Sequence, residues 1–96
     1  MAQAVLPPMP NPCTHAASAA WVAACEAVLR RHVKSAATVW TVAPAAVEVF
    51  DSSALAAILA VQRQVHAQGQ HLQCPPLPEG LASLVRLYGL QDVMPT

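Results

Sequence analysis

Phe50-Asp51-Ser52-Ser53-Ala54-Leu55 is the point where this chain turns from a strand-like run into a long apolar helix pattern. Asp and Ser side chains accept hydrogen bonds from the first free backbone N–H groups of a helix, so the polar triplet reads first as a helix N-cap. Capping needs only one such residue. Hydroxyls gathered at the positive end of a helix dipole also form a surface that can carry a phosphate or receive a partner's polar group. Downstream, Ala54, Ala57, Ile58, Val61 and Val65 keep the spacing of one helix face, with Gln62, Arg63, His66 and Gln70 largely away from it, and Gly69 is a natural stop.

Upstream of the turn, Thr38-Val39-Trp40-Thr41-Val42 has the β-branched and aromatic composition of a central strand, which Pro44 ends. Val47, Val49 and Phe50 then form a short extended segment that leads into Asp51. At the start of the chain, Ala4-Val5-Leu6 can make one short strand before Pro7, Pro8, Pro10 and Pro12 break regular structure. From Thr14, a candidate cap, apolar residues recur at 17, 20, 21, 24, 25 and 28 as the buried stripe of a helix reaching about His32. Trp21 is its core anchor, and Glu26 and Arg30 are spaced to pair on its wetter side. After Gly69, Leu72 and Cys74 alternate with His71 and Gln73 in a strand closed by Pro75-Pro76. A last helix starts near Pro78-Glu79, turns Leu81, Leu84, Val85 and Tyr88 inward, and ends at Gly89.

Strands that alternate with helices imply an α/β fold, a small mixed β-sheet with helices packed against it and at least part of it parallel. Function in such sheets gathers in loops beyond the carboxyl ends of the strands, and the Asp51-Ser52-Ser53 turn lies in one.

A chain of 96 residues holds one domain, here expected over residues 1–96. Its hydrophobic share is 55%, its charged share 10% and its formal net charge zero, which argues against nucleic acid because phosphates demand a basic stripe. So apolar a small domain is expected to be a subunit covered by a partner. Its longest apolar run, Ala54 to Val61, falls far short of the roughly 20 residues needed to cross a bilayer. The first residues lack the basic start and apolar stretch of a secretory signal, so a cytoplasmic chain is expected. Cys13, Cys25 and Cys74 contain no C-x-x-C pair and are expected as free thiols, Cys25 and Cys74 buried and Cys13 exposed and reactive in the proline-rich lead. His15, His32, His66 and His71 are scattered, so neither a metal nor a cofactor is expected. With no phosphate-binding loop and no nucleophile beside a base, the sequence points away from an enzyme.

Taken together, F-D-S-S-A-L-A-A-I-L-A at 50–60, Q-G-Q-H-L at 68–72, L-P-E-G-L-A-S-L-V-R-L-Y-G-L at 77–90 and D-V-M-P at 92–95 resemble the STAS family. That family includes anti-sigma-factor antagonists, anion-transporter tails and the MlaB subunit of bacterial phospholipid transporters, and the last two motifs are similar to the MlaB-type branch. Ala54 stands where the family commonly has glycine, which puts a methyl group at the helix start. The resemblance implies a STAS fold and a non-enzymatic subunit that binds the cytoplasmic, MlaF-like ATPase of an MlaFEDB-like phospholipid transporter. Through that ATPase it would join a permease and lie peripherally at the inner membrane. Ser52, with Ser53 and Asp51 beside it, is implied as the partner-binding or phosphorylated position. The alternative within the family is an anti-sigma-factor antagonist switched by serine phosphorylation.

Overall fold

The computed structural model describes residues 3–31, 38–44 and 46–95. Its elements alternate as the sequence requires: β1 (Gln3–Leu6), α1 (His15–Arg31), β2 (Val39–Val42), α2 (Ser53–Ala67), β3 (His71–Gln73) and α3 (Glu79–Leu87). The strands lie in the order β1-β2-β3, with Gln3 to Leu6 opposite Val39 to Val42 and Val39 to Thr41 opposite His71 to Gln73. The fold is the expected α/β arrangement. The sheet expected as mixed is parallel in every described pair, because each described strand is joined to the next by a helical crossover rather than a hairpin. Two successive crossovers of the same hand put α1 and α2 on one face, where they pack against each other.

The core is built from Leu6 of β1, Trp40 and Val42 of β2 and Leu72 of β3, against Trp21, Cys25 and Leu29 of α1 and Ala54, Ile58, Val61 and Val65 of α2. Leu81 and Val85 of α3 complete it. The α2 face lies as its spacing predicts. The α1 face is rotated from the expected one: Ala20 and Ala24 are exposed, while Ser18 and Leu29 are buried. Alanine is apolar by count but hides little area, so Trp21 and Leu29 fix the helix orientation and the alanines follow. The end expected near His32 lies outside the described residues.

Gln70, expected on the wet side beyond α2, is instead buried at 2% exposure, where its Oε1 accepts a hydrogen bond of 2.8 Å from the Trp40 indole Nε1. A buried indole N–H without an acceptor would be costly, and Gln70 supplies one. Glu26 accepts a hydrogen bond from Gln64 of α2 rather than pairing with Arg30, which ties α1 to α2 instead of lacing one helix to itself. Tyr88, expected inward, is 55% exposed because it follows the last turn of α3, beyond Val85. Gly69 and Gly89 take φ of +74° and +66° after α2 and α3, a conformation that costs glycine little.

Cys13 corrects a further expectation. The lead from Pro7 to Pro12 has no helix or strand, yet Met9 and Cys13 are buried, Cys13 completely. Its thiol lies 3.3 Å from the Ser18 hydroxyl, and its backbone forms an isolated parallel bridge with Phe50. Prolines removed regular structure without removing packing. Cys25 is buried as expected, and Cys74 is partly buried against the core. Burial pushes both thiols up, Cys25 to about 12 with help from Cys74 and Glu26, and Cys74 to about 11.

Candidate functional site

Both loops that leave the carboxyl ends of β1 and β2 converge on residues 51–53, so the turn sits at the end of the sheet expected to carry function. The chain enters it along 47–50. Val47 is buried, and the Phe50 ring lies on Gly80 of α3 so closely that a Cβ there would come within 2.6 Å of the ring's Cζ. The glycine of the P-E-G-L motif therefore makes room for the residue that precedes Asp51. On the other side, Cys13 N–H donates to the Val49 carbonyl at 2.7 Å and Asp51 N–H to the Cys13 carbonyl at 3.4 Å.

Within the turn the three polar residues have different duties. Asp51 Oδ1 accepts the Ser53 N–H at 2.9 Å, and its carbonyl accepts the Ala54 N–H at 3.1 Å, so Asp51 does the capping. Ser52 is already helical at φ −63° and ψ −16°, its side chain makes no capping bond, and it is exposed. Its hydroxyl has no partner among the described residues. Ser53 is half-buried, with its Oγ 3.5 Å from Nδ1 of His15, the first residue of α1. The starts of α1 and α2 thus meet at one point, and a shallow groove lined by His15, Ala19, Val22, Ser53 and Ala56 runs from it between the two helices.

Ala54, whose methyl stands at the helix start where the family commonly has glycine, is fully buried and faces the core, on the apolar face its spacing predicts. Its methyl is absent from the surface around Ser52. Asn11, Cys13, His15 and Gly80 shape the site, and sequence reasoning gave none of them that task. A glycine in the first turn of a helix, at Gly80, was the one signal available.

The sequence is matched by the family model described as "Mlab, STAS domain" over residues 13–95. The chain belongs to the MlaB-type STAS domain family. The match starts at Cys13, the residue that bridges to Phe50, and runs through the turn to the end of the described structure. No curated protein and no solved structure matches the chain. Among the described residues, no helix is long and apolar enough to cross a membrane, and no three His, Cys, Asp or Glu side chains cluster to hold a metal. His66 and His71, read as scattered, do meet, with ring centroids 6.4 Å apart in an edge-on arrangement.

Proposed function

We propose that this STAS domain is a non-enzymatic subunit that docks on the cytoplasmic ATPase of an MlaFEDB-like phospholipid transporter. Through that ATPase it reaches the permease and lies peripherally at the inner membrane. The observation that carries the reading is the division of labour at 51–53. Asp51 caps α2 by itself, which leaves the exposed Ser52 hydroxyl without a structural task inside the domain. A polar group held rigidly at a helix start and left unpaired is suited to receive a partner's donor or acceptor. An ATPase as that partner is what the resemblance of the 77–90 and 92–95 motifs to the MlaB-type branch implies.

The same free hydroxyl favours one second reading, an anti-sigma-factor antagonist whose Ser52 is phosphorylated by a partner kinase. A phosphate there would gain from the dipole of α2 but would stand beside the Asp51 carboxylate.

The deciding experiment is to capture the tagged chain from its native cells and identify what co-purifies. A transporter ATPase with its permease is expected with the wild type and with Ser52→Ala, and loss of both with Ser52→Glu. A kinase with a sigma factor in their place would transfer the assignment to the second reading, and ATP binding by the isolated chain in calorimetry would contradict a non-enzymatic subunit.

A further inference from the structure

Asn11 lies in the lead between Pro10 and Pro12, in a stretch whose prolines suggest only a break in regular structure. Its side chain reaches across to the segment that enters the functional turn. Oδ1 accepts two consecutive backbone N–H groups, from Glu48 at 3.0 Å and from Val49 at 3.1 Å. The next contacts continue in order along both segments: Cys13 N–H to the Val49 carbonyl, Asp51 N–H to the Cys13 carbonyl, and His15 against the Ser53 hydroxyl. Residues 11–15 therefore grip 48–53 from end to end.

The physical character of the Asn11 contacts separates position from stability. Asn11, Glu48 and Val49 are all exposed, so water can replace a lost bond and little folding free energy rests on it. Water cannot replace direction. One oxygen bonded to two successive N–H groups fixes the path of the chain two residues before Asp51, and the prolines on either side restrict the backbone that presents that oxygen. Asn is short enough to do this and has the two lone pairs it needs.

We propose that Asn11 is the positioning residue of the Asp51-Ser52-Ser53 turn: it sets where the Ser52 hydroxyl stands. Its role in partner binding rests on the docking reading given above, whereas its effect on the turn does not.

The test uses the full chain with Asn11→Ala and Asn11→Asp, since a carboxylate oxygen can accept the same two N–H groups. Amide hydrogen exchange is followed by NMR at Asp51, Ser53 and Ala54, beside the melting temperature. Asn11→Ala is expected to speed exchange at these amides about threefold, the small change in local opening that loss of exposed, water-replaceable hydrogen bonds gives. Exchange in α2 beyond its first turn and the melting temperature should change little, and Asn11→Asp should restore the slow rates. Unchanged exchange at 51–54 in Asn11→Ala overturns the proposal, and so does a uniform rise over the whole chain, which marks a merely structural role. With a co-purified ATPase in hand, Asn11→Ala is expected to bind about tenfold more weakly and Asn11→Asp nearly as well as wild type. Loosened exchange together with binding that ignores Ser52→Glu would sink the docking reading and leave Asn11 as the residue that positions the turn.

Discussion

The two ends of α2 both carry polar side chains, and they use them in opposite ways. Beyond its carboxyl end, Gln70 is buried and bonded to the Trp40 indole, so its polarity is consumed inside the domain. At its amino end, Ser52 is exposed and unbonded, so its polarity is available to something outside. The difference teaches where to look for function in a small domain with few charges. A satisfied buried polar group specifies the fold, and an exposed, unbonded one next to a clamped turn is the place to test for a partner.

The largest effect on stability is therefore expected at the carboxyl end. Gln70→Leu keeps the volume but leaves the Trp40 N–H buried without its acceptor, which costs about 2 kcal/mol. For a domain of this size that lowers the melting temperature by about 8–16 °C. Partner affinity measured well below the transition should stay as it was. A variant with normal melting would show that water or another acceptor reaches the indole, and the contrast between the two ends would lose its buried half.

At the amino end the order is reversed. Ser52→Ala removes a hydroxyl that caps nothing, so it should melt within a few degrees of wild type. Ser52→Glu places a carboxylate at a helix start, where the dipole favours it, and it too should remain folded. Against a close-packed partner the same carboxylate is bulky and must be desolvated, and about 10- to 100-fold of affinity should be lost, or about 1.4–2.7 kcal/mol. Equal affinity for wild type and both variants would break the comparison at its functional half.

Much of this was legible in the sequence, and the misses share a cause. Large side chains at helical spacing placed α2 correctly, and the element order and the glycine stops after α2 and α3 are those of the structure. Alanine-rich α1 was turned on its axis because a count of apolar positions weighs Ala20 as heavily as Leu29, whereas burial follows area. The local pattern turns Cys13 and Gln70 to solvent for a related reason. Local pattern describes what a segment does alone, while a parallel bridge to Phe50 and a bond to Trp40 are made across 37 and 30 positions of sequence. The clamp at Asn11 was hidden by the same distance.

Burial of the thiols gives a pH dependence whose sign is fixed. Cys25 and Cys74 are held at about 12 and about 11 in the folded chain, above their ordinary value of 9.0. Above that value the unfolded chain loses thiol protons that the folded chain keeps, so stability falls as pH rises from about 9 towards 11 and beyond. Below pH 9 these two groups add no pH dependence. Each can contribute at most about 1.4 kcal/mol per pH unit in that window. Melting followed from pH 8 to 11 should show the decline, and Cys25→Ala should flatten it while lowering the overall stability. Labelling at pH 8 offers a second check: with Cys13 completely buried, all three thiols should react slowly in the folded protein. Rapid labelling of Cys13 would mean that the lead opens away from Phe50.

An effect on stability smaller than that of Gln70→Leu is expected next to the half-buried Ser53, at Ala54. Glycine is the family's common residue there, and an alanine methyl pointing outward would stand in the way of a partner. In this chain the methyl is fully buried in the core beside α2's own apolar face. Ala54→Gly should therefore act on folding alone. It removes buried area and adds backbone freedom in the first turn of the helix, together costing about 1 kcal/mol. Affinity for the ATPase should match wild type at a temperature where both are folded. If Ala54→Gly instead tightens binding without changing the melting temperature, the methyl faces the partner after all. The line between the buried and the acting side of the turn would then have to be moved from Ser53 to beyond Ala54.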